Sequence, residues 1–89
     1  MTDLSTRFAQ AQQDVQQLPE RPGNMVLLRL YALFKQASEG DAGDDRPGMT
    51  DIVARYKFDA WAALKGMSAE EAQGKYIELV EELKTNPQG

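Results

Sequence analysis

Tyr31, Phe34 and Lys35 stand three and four positions apart, so a helix that carries them presents two aromatic rings and an ammonium group on one face. Such a face is either the edge of a core or a platform for a ligand. A second stretch, Arg55-Tyr56-Lys57-Phe58-Asp59-Ala60-Trp61, repeats the mixture of rings and positive charge, and Arg46-Pro47-Gly48-Met49 lies between the two. The expected arrangement has the two stretches facing each other across a groove. The chemistry they offer is binding, and no enzyme is expected. The chain has no cysteine and no histidine, which removes a thiol nucleophile, an imidazole base and the usual zinc ligands, and leaves carboxylates, Lys or Tyr for any proton transfer. The acidic pair Glu81-Glu82 reads as a solvated face and not as a catalytic dyad.

Four helices are expected to position these residues. Leu4, Phe8, Ala11, Val15 and Leu18 recur at steps of four and three, with Gln and Asp opposite, which predicts an amphipathic helix over 4–18. Pro19, Pro22 and Gly23 turn the chain. A second helix over 24–39 carries Leu27, Leu28, Leu30, Tyr31, Phe34 and Ala37, an apolar face wide enough for two neighbours, and Gly40 is placed to end it. Residues 40–50 hold three glycines, three aspartates and a proline, and predict one long loop with its exit set by Pro47 and Gly48. A third helix over 51–65 follows, capped by Thr50 or Asp51, with Ile52, Tyr56, Ala60 and Leu64 as its stripe and Trp61 in the core. Ser68-Ala69-Glu70-Glu71 has capping-box spacing and opens a fourth helix over 68–86, striped by Ala69, Ala72, Tyr76, Val80 and Leu83 and ended by Asn86-Pro87. No strand pattern and no internal repeat is present, so the expected fold class is all-α, a four-helix bundle.

Eighty-nine residues fit a single domain, 1–89. The net charge of -4 opposes non-specific binding to nucleic acid or anionic lipid. The charge is uneven: residues 21–57 hold six cations against five acids, a balance of +1, and the rest of the chain carries -5. No stretch approaches the roughly 20 apolar residues of a membrane span, and residues 1–5 lack the features of a secretory signal. A cytoplasmic monomer is expected, without a nucleic-acid partner or stable membrane insertion.

The ordered set Tyr31-Ala32-Leu33-Phe34-Lys35-Gln36-Ala37, Gly40-Asp41, Arg46-Pro47-Gly48-Met49, Lys57-Phe58-Asp59-Ala60-Trp61, Leu64-Lys65-Gly66, Ala72, Tyr76 and Val80-Glu81-Glu82-Leu83 resembles the acyl-CoA-binding protein family over essentially the whole chain. Any one piece is weak; the set in order is highly specific. The resemblance implies an up-down-down-up bundle that binds long-chain fatty acyl-CoA thioesters one to one, without catalysis and without a cofactor or metal. It implies that Tyr31, Lys35 and Lys57 hold the 3'-phosphate of coenzyme A, with Phe34 and Tyr76 near the adenine. It also implies that the acyl chain lies between the second and third helices, with Leu28, Ile52 and Tyr56 as candidates and Ala32 and Leu33 as further positions on the same stretch. Gln16 and Val53 stand where many members have a basic contact, Phe34 replaces a tyrosine, Phe58 replaces a tryptophan, and Arg29 occupies a usually apolar position. The loss of two cations and a hydroxyl predicts weaker headgroup binding, with Arg55 as the candidate for replacement charge.

Taken singly, these residues have plainer uses. Tyr31 and Phe34 at helical spacing suit a core, and Lys35 and Lys57 suit a solvated surface; only their joint occurrence favours a ligand. The leading expectation is an intracellular carrier and pool former for acyl-CoA. The competing one is a helical protein-interaction module that kept the fold and lost the pocket.

Overall fold

Short polar side chains open three of the helices. Asp3 accepts a hydrogen bond from the Thr6 amide at 2.7 Å, Asp51 from Ala54 at 3.2 Å and Ser68 from Glu71 at 3.0 Å, which satisfies amides that no helical carbonyl can reach. In the computed structural model, which describes residues 3–86, the helices are α1 Leu4–Gln16, α2 Asn24–Glu39, α3 Ile52–Ala62 and α4 Ala69–Thr85. Pro87, expected to end α4, lies outside the described residues. Helix α1 stops two residues short of expectation because Gln17 bonds back to Asp14 in a tighter turn; Leu18 lies beyond the helix and still packs on the core. Helix α3 is shorter for a similar reason. Leu64, Lys65 and Met67 each bond three residues back, a tight winding that ends at Gly66, where φ is +93°. Gly40, with φ of +81°, closes α2.

Side-chain pairs fix the topology. Lys57 meets Tyr31 and Trp61 is met by Lys35, so contacts advance by four residues on both helices and α2 and α3 run parallel. Phe8 meets Tyr76 and Asp14 meets Lys84, so α1 and α4 also run parallel. Gln36 reaches the carbonyl of Met67 just before α4, while the earlier Ala32 and Leu33 share a depression with the later Lys75, so this pair is antiparallel. The result is an all-α, up-down-down-up bundle in which α4 packs on both α1 and α2, and α3 packs on α2.

Helix α4 is the centre of the core. Among the described residues it supplies six of the eleven buried apolar ones, Ala72, Tyr76, Ile77, Leu79, Val80 and Leu83, and full burial of a Leu-sized side chain stabilises by about 1.5–3 kcal/mol. Phe8 and Ala11 of α1 and Leu30, Ala32 and Leu33 of α2 complete the set. Helix α3 contributes no fully buried residue. The stripe expected to bury it is largely outside: Ile52 is 60% exposed and Tyr56 61%. Trp61 is likewise half-buried at the rim and does not join the core.

Polar links hold α3 and its loop in place. The Trp61 indole N–H donates to the Gly40 carbonyl at 2.7 Å. Asp41 accepts from the Gly66 amide and from Gln36, both at 2.9 Å, and the Gln36 amide group also donates to the Met67 carbonyl at 2.8 Å. Arg46 grips Asp59 with two parallel bonds of 3.0 and 2.8 Å, fastening the loop to α3.

These links predict a pH dependence. The Gly66 amide, then Gln36, hold the Asp41 carboxyl below its ordinary value; bonds from Lys84 and Gln10 do so for Asp14, and Arg46 for Asp59. A carboxylate whose folded pKa is depressed stabilises the fold above its unfolded pKa of about 4, and that contribution is lost as pH falls through the folded value. Asp41 and Asp59 are exposed and Asp14 is only half-buried, so each effect is small. With no histidine to titrate, the urea midpoint should stay level between about pH 5 and 8 and decline progressively below about pH 4. A midpoint that rises on acidification would contradict this.

Candidate functional site

Two depressions meet at Tyr31. The first, of about 490 Å³, lies where α1, α2 and α4 converge. Its ring-bearing wall is built from Phe34 and Tyr76 together with Phe8 behind them: Phe8 stands 6.2 Å from Phe34 and edge-on to Tyr76 at 5.1 Å. Edge-to-face rings of this kind hold one another in fixed orientation. Phe34 is 37% exposed, so its face is open to a planar partner, while Tyr76 is buried and its phenol pKa is pushed up by that burial. Gln16 at the end of α1 lines the same depression.

The second depression, of about 860 Å³, runs between the first half of α2 and the start of α3. Of the candidates, Leu28, Val53 and Tyr56 line it, together with Leu27 and Met25. Its surface is apolar because the face that α3 turns to α2 carries Val53 and Tyr56, whereas Arg55 and Asp59 lie off the groove. Lys57 lines its edge with the ammonium group 5.3 Å above the Tyr31 ring, within cation–π range. The Tyr31 and Lys57 side chains, expected to act together, are therefore neighbours across the α2–α3 junction.

Lys35 is one turn along α2 from Tyr31 and is engaged elsewhere. It pairs with Glu39, which raises its pKa, and lies 4.9 Å over the Trp61 ring. An exposed pair of this spacing is worth only a few tenths of a kcal/mol, so it is easily exchanged for a stronger anion.

Four expected contacts are placed differently. Ile52 is exposed and does not line the groove. Ala32 and Leu33 are buried and border a third depression, of about 440 Å³, shared with Ala60 and Lys75. Arg55 lines neither of the first two depressions and lies near Asp59, whose carboxyl is held down chiefly by Arg46 with a smaller Coulombic contribution from Arg55. Arg29, unexplained in the sequence, borders the third depression, which Met25 and Leu28 also line. Met25 and Arg21 are among the groove residues that escape sequence reasoning. Met25 is 75% exposed and reads as an ordinary helix-start residue, and Arg21 lies between helices, where no periodicity identifies it.

The fold and site together define a class: a small all-α bundle whose concave surfaces lie between helices and are lined by rings, an apolar track and amines. The family model for acyl-CoA-binding protein matches residues 5–80. The chain is 49% identical over 81 residues to an acyl-CoA-binding protein homolog of Manduca sexta, covering 90% of each, and 44% identical over 80 residues to the acyl-CoA-binding protein of Saccharomyces cerevisiae, covering 90% of this chain and 92% of that one. The crystal structure of Oryza sativa acyl-CoA-binding protein 2 superposes with a TM-score of 0.90 at 38% identity, over 96% of this chain and 94% of that one. The chain belongs to the acyl-CoA-binding protein family.

Proposed function

We propose that the chain is a single domain that binds long-chain fatty acyl-CoA thioesters one to one and serves as a cytoplasmic, monomeric carrier and pool former. The observation that carries this reading is the position of Tyr31: its ring joins a ring-walled depression to an apolar groove, with the Lys57 amine beside it. A molecule with a nucleotide at one end and an alkyl chain at the other needs that pairing of surfaces.

In this reading the 3'-phosphate takes the Tyr31 hydroxyl and the ammonium groups of Lys57 and Lys35, since a nearly doubly charged phosphomonoester makes stronger bonds to cations than to neutral donors. Lys35 leaves Glu39 to do so. Adenine stacks on Phe34 near Tyr76, worth about 1–3 kcal/mol in comparable nucleotide sites. The alkyl chain lies along Leu28, Val53 and Tyr56. Each buried methylene contributes about 0.8 kcal/mol, so ten contribute at most about 8 kcal/mol before ordering costs, and chain length dominates selectivity. The thioester is held and not hydrolysed: the sequence supplies neither thiol nor imidazole to attack it.

Titration calorimetry with palmitoyl-CoA tests the reading. The expected result is a stoichiometry of one with micromolar or tighter affinity. No heat at high ligand concentration would overturn it and favour a protein-interaction module.

A further inference from the structure

A thioester of coenzyme A carries, besides its 3'-phosphate, a diphosphate between the nucleoside and the pantetheine arm. Tyr31, Lys35 and Lys57 account for the first group and leave the second without a cation. Gln16 and Val53 are neutral, and Arg55 lines neither depression.

Three residues border both depressions: Leu27, Tyr31 and Arg21. Among the described residues, Arg21 is the one cation at that crossing; Lys57 borders only the groove. Its guanidinium is exposed and makes a single hydrogen bond, to the Asn24 side-chain oxygen at 3.5 Å, the outer limit of such a contact. It is therefore nearly uncommitted. Its backbone is not: the buried Pro22 that follows, and Gly23 at the start of α2, set where the side chain leaves the surface. Glu20 borders the ring-walled depression as well, and its carboxylate would repel a diphosphate arriving there. A planar, permanently charged fork beside it offsets that repulsion and can grip two phosphate oxygens at once.

We propose that Arg21 binds the diphosphate of the acyl-CoA at the crossing between the two depressions, and so supplies the headgroup charge that Gln16 and Val53 do not. The inference rests on the function proposed above and adds to it a residue and a subsite.

The test compares wild type, Arg21→Gln and Lys57→Ala against palmitoyl-CoA and against palmitoyl-dephospho-CoA, which keeps the diphosphate and lacks the 3'-phosphate. Arg21→Gln should lose about fivefold or more in affinity for both ligands, and Arg21→Lys should recover part of it. Lys57→Ala should lose affinity for palmitoyl-CoA and little for the dephospho form. Circular dichroism on each variant establishes that it is folded. If Arg21→Gln binds palmitoyl-CoA as wild type does, or loses affinity only for the ligand carrying the 3'-phosphate, the assignment is overturned. Wild type that binds neither ligand would instead overturn the functional reading beneath it.

Discussion

Lys57→Ala is expected to weaken palmitoyl-CoA binding more than tenfold and to leave the fold as it is. The ammonium group sits 5.3 Å over the Tyr31 ring at the edge of the groove, exposed, and among the described residues it belongs to no ion pair. Folding therefore has little to lose, and an exposed substitution of this kind shifts stability by about 0.5 kcal/mol or less. Binding has much to lose. A hydrogen bond to a charged partner contributes about 1.5–3 kcal/mol, and tenfold in affinity is about 1.4 kcal/mol. Calorimetry should show the loss, with unchanged far-UV circular dichroism. Lys35→Ala should also lose more than tenfold, although there the wild-type amine first gives up Glu39. Unchanged affinity in both variants would place the phosphate elsewhere on the surface.

Leu83→Ala should produce the reverse pattern, a protein of much lower stability whose surviving folded fraction keeps an intact site. Leu83 is fully buried and sits in the cluster formed by α4 with Phe8, Ala11, Leu30 and Leu33. It touches neither depression at Tyr31. Truncating a buried leucine costs about 2–5 kcal/mol, from lost transfer energy and from the cavity left behind. A domain of this size has only about 5–15 kcal/mol in total, so the urea midpoint should fall steeply. A loss under about 1 kcal/mol would mean that the bundle collapses onto the vacated space, and that α4 is less central than its burial indicates. The two variants separate the duties of the helices: α4 supplies most of the core that holds the bundle, whereas α3 stays at the surface, where the proposed function has it hold a ligand.

That division bears on what was legible in the residues. The helices of this chain announce themselves locally. Phe8 and Ala11, or Ala72, Tyr76, Val80 and Leu83, recur at the helical period, and Asp51, Ser68, Gly40 and Gly66 mark ends through bonds and angles within a few residues of themselves. The same locality put Tyr31 and Lys35 on one helix and Lys57 on another. The family pattern, also a property of sequence, tied those positions to a nucleotide thioester.

Periodicity could not tell which apolar stripe would be covered. The stripe of α3 recurs at helical spacing as that of α4 does, yet Ile52 and Tyr56 remain exposed because α3 packs against α2 alone, whereas α4 packs against both α1 and α2. For the same reason Trp61 became a rim residue, donating its N–H to Gly40 and receiving Lys35 on its ring. Arg21, in a turn with no period, met Tyr31 at the crossing of two depressions only once three helices had been placed around it. Sequence by itself determined the four helices and the residue types available for binding, because backbone hydrogen bonds and side-chain spacing act over a few residues, whereas the last turns of α1 and α3 wind more tightly than the spacing indicated. Tertiary structure alone decided which faces stay open and which charges converge, because exposure depends on neighbours brought from elsewhere in the chain.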